Sequence, residues 1–297
     1  MPDQARTARD MKEREAAVAV PHAAPESAEF PQKIIAITSG KGGVGKSNIA
    51  VNLGVSLTRF GHRVLLVDAD MGLANLDMLL GLTPKYNLYH VLSGKKRIED
   101  VIISGPSGIK LLPTSSNGLL SPDMTNEKRA EIVRRIRGFS DIADTVFVDT
   151  GGGITDNILE FLLLADEVIL VTTPEPTSIM DSYGIIRVLA REKENSRVRL
   201  LINMAEDQAD AQHVSATMKM ITKQFFNVTF DELGWIGHDT HVSKAVRQQQ
   251  PFVLLYPSSR ASRAVTRVAM KMANYEVDIV TEPGLAGLVR RMISFLK

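Results

Sequence analysis

Short apolar runs recur along the chain at the spacing of a layered α/β protein. KIIAITS (33–39), HRVLLVDAD (62–70), IKLLPTS (109–115), DTVFVDT (144–150), EVILVTT (167–173) and VRLLINM (198–204) are each dominated by Ile, Val and Leu, and LGWIG (233–237) is a shorter run of the same kind. Helix-period segments lie between most of them. Residues 47–60 carry Ile49, Leu53 and Leu57 on one stripe and stop at Gly61. Residues 126–139, 154–164, 179–192 and 212–225 follow, with a late helix over 259–273. Strands apolar on both faces, alternating with amphipathic helices, predict a doubly wound, mostly parallel sheet covered by helices on both sides. No linker interrupts this pattern from residue 33 to about 275, so one α/β domain is expected there.

The two ends break the pattern. Residues 3–17 are rich in Ala, Arg, Lys and Glu, a helix-forming composition, and Pro21, Pro25 and Pro31 then prevent continuation. Residues 1–32 therefore read as a helical tip on a flexible leader. At the other end, Pro283-Gly284 sets off 285–297 from the domain. At 100° per residue Leu285, Leu288, Val289, Met292, Ile293, Phe295 and Leu296 share one face, while Arg290 and Arg291 fall on the other with Ser294 and Lys297. A basic amphipathic helix of that length lies in an anionic headgroup layer or docks on its own domain. It does not span a bilayer. The expected division is 1–32, 33–275 and 276–297.

Composition narrows the chemistry. The 297 residues contain no cysteine, which excludes disulfides, thiolate nucleophiles and Cys-ligated zinc or iron–sulfur centres. The net charge of +1 and the 5% aromatic content offer no bulk attraction for nucleic acid and little material for base stacking, so no direct nucleic-acid partner is expected. No window reaches the length of an apolar spanning helix, and the N-terminus lacks the pattern of a secretory signal. A cytoplasmic protein is expected.

The sharpest motif is Gly40-Lys41-Gly42-Gly43-Val44-Gly45-Lys46-Ser47, which satisfies G-x-x-x-x-G-K-[ST] between a strand and a helix. Its glycines let the backbone curl so that successive N–H groups face phosphate oxygens, and the following helix adds the positive end of its dipole. Lys46 reaches the terminal phosphates, and the Ser47 hydroxyl is a Mg²⁺ ligand. Lys41 is a second cation at the loop entrance, one too many for a single nucleotide if both point inward. Asp68 and Asp70 are two apart on a strand and so project to one side. Gly151-Gly152-Gly153, after the acidic strand end at Asp149, suggests a supple loop.

The pattern K-G-G-x-G-K-[ST] resembles the deviant Walker A motif of the MinD/ParA class of ATPases. That resemblance implies that Lys41 crosses an ATP-dependent homodimer to the nucleotide of the facing subunit. It implies that Asp70 positions the attacking water, that Asp68 lies near the Mg²⁺ shell and that Asp149 holds Mg²⁺ through water. It also implies that Asn203 reads adenine, which an amide can do by donating and accepting at once.

Within the class, ADMGLANLDMLLGL (69–82), EPTSIMDSYGIIRVL (175–189), VSKAVRQQQPF (242–252) and YPSSRASRAV (256–265) resemble the FlhG family of flagellar-number regulators. Gly237-His238-Asp239 departs from the Pro usual there. Asp3, Gln4, Ala5 and Arg9 resemble the N-terminal element with which that family stimulates the signal-recognition-type GTPase FlhF, with Ala8 in place of the usual Leu. The resemblance implies regulation of flagellar number and placement, membrane association of the ATP dimer at the cytoplasmic face of the inner membrane, and a flagellar transcriptional activator or switch-complex protein as a further partner. A MinD-type division-site ATPase and a ParA-like partition ATPase are the alternatives.

Overall fold

The computed structural model describes residues 32–69, 75–114, 126–192, 197–226 and 230–274. The chain divides between Phe30 and Pro31, and all the described residues belong to the second unit. Asp70, the leader residues Asp3, Gln4, Ala5 and Arg9, and the tail from Leu285 to Leu296 lie outside the described residues.

Eight strands form one sheet: β1 (Lys33–Ser39), β2 (Val64–Asp68), β3 (Ile103–Ser104), β4 (Lys110–Leu112), β5 (Thr145–Gly152), β6 (Glu167–Thr172), β7 (Arg197–Ala205) and β8 (Asp231–Gly237). Their order is β3-β4-β2-β5-β1-β6-β7-β8. All neighbours pair in parallel except the short edge strand β3, which runs antiparallel to β4. The helices are α1 (Lys46–Thr58), α2 (Leu76–Leu80), α3 (Leu88–Leu92), α4 (Asn126–Arg137), α5 (Asp156–Leu164), α6 (Pro176–Glu192), α7 (Gln208–Phe226), α8 (Thr240–Arg247), α9 (Phe252–Leu255) and α10 (Arg260–Met272).

The doubly wound arrangement follows from the period-2 alternation of strands buried on both faces. Ile34, Ala36, Leu65 and Val67 point into one core with residues of α3 to α7, whereas Ile35, Ile37, Val64 and Leu66 point into the other with α1, α2 and α8 to α10. The periodic helices and apolar strands are where the sequence puts them, within a few residues. The short elements β3, α2, α3 and α9 were not anticipated, because five residues or fewer carry almost no period, and α8, at eight residues, spans little more than two turns.

In the register, Asp68 at the end of β2 stands opposite Asp149 on β5, and Ile37 of β1 stands on the other side of Asp149. The carboxyl ends of the three central strands therefore meet at one edge, the crevice where open α/β sheets bind their ligands.

Candidate functional site

The loop between β1 and α1 curls through two left-handed glycines, Gly43 at φ 82° and Gly45 at φ 92°. A side chain at either would be strained, so glycine is required there. Gly45 also caps α1 without any side-chain hydrogen bond, and the first turn of α1 contains no acidic residue. The partial positive charge of the helix start is thus left for a ligand. Lys46 is buried, and its ammonium has no carboxylate partner among the described residues. A buried cation without a counter-charge is costly unless an anion completes it.

That anion has a place. A cavity of about 530 Å³ is lined by Gly42, Gly43, Gly45, Lys46 and Ser47 on one side, and by Asn75, Met78, Val246 and Gln249 across from them. A smaller recess of about 90 Å³ continues on the other side of Gly45, walled by Asn203, Met204, Gly237, His238 and Asp239. One recess offers backbone donors, a lysine and a hydroxyl. The other offers the amide of Asn203, the thioether of Met204 and the loop from Gly237 to Asp239. Together they fit the polyphosphate and base of a nucleoside triphosphate. The Ser47 hydroxyl beside the cavity, and the buried Asp149 carboxylate on β5, are oxygen donors of the kind Mg²⁺ takes.

Not every residue of the motif faces the cavity. Gly40 is pressed against α6, where a Cβ would lie 2.2 Å from the backbone of Asp181. Val44 turns its carbonyl to Asn203, whose Nδ2 donates to it at 2.8 Å. Asn203 therefore braces the glycine loop as well as walling the smaller recess. A Cβ on Gly45 would sit 2.5 Å from that same Nδ2. Lys41 points away from the cavity. Its Nζ donates to Glu175 Oε2 at 2.6 Å and to Thr177 Oγ1 at 3.3 Å on the open surface.

Asp68 and Asp149 are both buried. Asp68 Oδ2 accepts the backbone N–H groups of Asn75 at 3.0 Å and Leu76 at 3.2 Å, so it ties the end of β2 to the start of α2. The backbone N–H of Ala69 reaches the carbonyl of Asp149 at 2.8 Å.

Two of the three glycines, Gly152 and Gly153, have a packing reason to be glycine. β5 runs through Gly152, and the β1–β5 register slips between Ile37 and Ser39 to bring that end under the phosphate loop. A Cβ at Gly152 would meet Gly42 N at 2.8 Å, and Gly153 adopts φ 92° while its N–H donates to Ser39 O at 2.9 Å. Gly152 permits close approach of two backbones, and Gly153 the left-handed turn that follows it.

Residues 237–239 form part of the smaller recess despite the missing proline. Asp239 caps α8 through His241 N at 2.9 Å and also accepts Ala261 N at 3.0 Å, which joins the starts of α8 and α10. Burial works against its ionised form, but the N–H groups of Ala261 and His241 and the His241 ring outweigh it and bring its carboxyl down to about 2. Sequence reasoning singled out Gly237-His238-Asp239 but missed Met204 as a recess wall. The one signal was Met204's place after Asn203; its left-handed backbone, at φ 59°, is visible only in the fold.

This combination of sheet, glycine loop and strand-end carboxylates is that of a P-loop NTPase. Residues 31–273 match the ParA family, described as NUBPL iron-transfer P-loop NTPase, and the chain belongs to that family. It is an ATPase of the MinD and ParA type. The iron-transfer part of the description finds no cysteine ligand in this chain. The chain is 38% identical over 263 residues to the antiactivator FleN of Pseudomonas aeruginosa, covering 89% of this chain and 94% of that protein. It is 31% identical over 269 residues to the flagellum site-determining protein YlxH of Helicobacter pylori, covering 89% and 90%. The solved structure of the septum site-determining protein MinD with Mg-ADP from Pyrococcus horikoshii superposes with a TM-score of 0.68 at 26% identity, over 81% of this chain and 96% of that one.

Proposed function

We propose that this chain is an ATP-dependent dimerisation switch that regulates the number and placement of flagella. The observation that carries the nucleotide reading is the buried Lys46, without a carboxylate partner among the described residues, beside a cavity of about 530 Å³. Similarity to FleN and YlxH supports the flagellar reading over division-site or partition roles.

In this reading the Gly42–Gly45 backbone and Lys46 bind the phosphates of ATP, and Asn203 holds the loop and faces the base. Ser47 and Asp149 hold Mg²⁺, with Asp68 fixing the strand end beside them. The metal, when bound, neutralises charge on the phosphates. Asp70 orients the attacking water. Lys41, held at the surface by Glu175, is free to swing across a dimer interface, where it stabilises transition-state charge on the facing subunit's nucleotide. Exposed Ile154 and Met180 flank this region and suit burial against a second copy. The domain 33–275 carries this chemistry. The leader residues Asp3, Gln4, Ala5 and Arg9 engage an FlhF-like GTPase, and the amphipathic segment 276–297 holds the ATP dimer on the anionic lipid of the inner membrane. A flagellar transcriptional activator or switch-complex protein is the output partner. Among the described residues no helix is long and apolar enough to cross a membrane.

The test is a variant series. Lys46→Ala should bind no ATP. Lys41→Ala should bind ATP yet fail to turn it over, and Asp70→Ala should accumulate as an ATP dimer by light scattering. In cells lacking the gene, the wild-type chain should restore flagellar number and Lys46→Ala should not. Normal turnover by Lys41→Ala would sink the in-trans role, and restored flagellation by Lys46→Ala would sink the switch.

A further inference from the structure

The net charge of +1 conceals a segregated surface. From Thr240 to Asn274 the chain carries Lys244, Arg247, Arg260, Arg263, Arg267 and Lys271 and no Asp or Glu, which leaves the rest of the protein at −5. The six cations are all exposed. Arg260, Arg263, Arg267 and Lys271 fall on α10 at steps of three and four residues, a nearly straight row about 16 Å long. Lys244 and Arg247 occupy α8, whose start is joined to that of α10 by Asp239. Asp239 itself is buried and already engaged. Lys244, Arg247, Arg260, Arg263 and Arg267 have no carboxylate partner among the described residues. Arg263 donates to the backbone oxygen of Ser258, and Lys271 donates to the backbone oxygen of Glu232, whose carboxylate, already bonded to Lys219 and Ser215, it also attracts.

Like charges on one face repel one another weakly through water, and a polyanionic surface laid over them relieves that repulsion and gains attraction from each. α10 lies flat along α1 and β8, with Ala261, Ala264, Val265, Val268 and Ala269 buried beneath it. It offers a planar stripe, whereas a helix that reads a DNA groove must project. The exposed positions between the cations include Ser243, Gln248 and Ser258, and the nearby rings of His241 and Tyr256 pack on each other. The chain continues from the end of α10 towards 285–297, whose polar face is also cationic. Ten intervening residues reach about 33 Å when extended, ample to lay that segment beside the row.

We infer that the exposed face of α8 and α10 is a second contact with anionic lipid headgroups, which acts with the amphipathic C-terminal segment when the protein sits on a membrane. The inference rests on the membrane association proposed above. It adds a surface in the folded domain that senses lipid charge, while the C-terminal segment supplies apolar insertion.

The test uses full-length, ATP-loaded protein and co-sedimentation with vesicles of 30% phosphatidylglycerol in phosphatidylcholine, or of phosphatidylcholine alone. Arg263→Glu/Arg267→Glu should bind the anionic vesicles about tenfold more weakly, with a shallower salt dependence, while binding to neutral vesicles and ATP turnover stay unchanged. Arg263→Lys/Arg267→Lys should bind like the wild type, because headgroup attraction needs charge rather than the guanidinium fork. Removal of 285–297 should weaken binding to both vesicle types and leave a residual preference for anionic lipid, which the Glu variant abolishes. If deletion changes nothing but the Glu variant still loses anionic binding, the C-terminal role fails and the face stands. The inference is overturned if the Glu variant keeps wild-type vesicle affinity and salt slope. It is also overturned if the Glu variant instead loses only binding to duplex DNA, or if the Lys variant loses vesicle binding as fully as the Glu variant.

Discussion

Substituting Gly152 by Ala should damage nucleotide binding without unfolding the domain. The added methyl would lie 2.8 Å from Gly42 N, 3.0 Å from Gly42 Cα and 3.1 Å from Lys41 C, where ordinary contact begins at 3.4 Å. The neighbours are backbone, so relief requires the end of β5 and the phosphate loop to part by about 0.6 Å. Overpacking of this kind costs about 1–3 kcal/mol. β5 is paired along its length with β1 and β2, whereas between Lys41 and Gly45 the loop is held by single hydrogen bonds, from Ser39 Oγ to the Lys41 carbonyl and from Asn203 to the Val44 carbonyl, so the loop is the part that yields. Strain expressed there appears as lost affinity, about 5- to 150-fold at 1.4 kcal/mol per tenfold. Titration calorimetry with Mg-ATP would read it, and a thermal melt without nucleotide would show whether the fold is intact. A methyl at Gly42 meets no protein atom within 4 Å, so the effect at Gly152 is a matter of loop–strand approach and not of glycine content. ATP affinity within twofold of wild type, or a large fall in melting temperature with affinity preserved, would refute the reasoning.

Asn203→Ala should weaken ATP by about 1–3 kcal/mol, because the Val44 carbonyl loses its donor at 2.8 Å. A parallel GTP titration separates the roles: reduced discrimination shows base reading, and equal loss for both nucleotides shows loop bracing. Asp239→Ala should lower unfolding stability at neutral pH by about 0.5–2 kcal/mol through loss of the α8 cap, as read by urea denaturation. The carboxyl of Asp239 is depressed to about 2, so its contribution is present above the unfolded value near 4 and disappears as pH falls towards 2. The gap between wild type and variant should close over that interval, and a gap constant with pH would show that the carboxylate charge plays no part.

Much of this protein is determined by local sequence. The apolar runs and helical stripes specify the layers because period 2 and period 3.6 are properties of the chain itself, and Ile34 and Ile35 point into opposite cores for that reason alone. The phosphate loop is equally local: Gly43 and Gly45 must be glycine, and Lys46 and Ser47 follow at fixed offsets. What the tertiary structure decided depends on contacts distant in sequence. It places Asn203 on the carbonyl of Val44 and turns Lys41 out to Glu175. It also presses Gly152 against Gly42, and no periodicity encodes a backbone approach across more than a hundred residues. Charge shows the same division. A sum over the chain gives +1, but only folding brings α8 and α10 together at Asp239 and gathers their exposed cations, most of them without a carboxylate partner among the described residues, because an electrostatic surface is set by where charges lie in space rather than by how many there are.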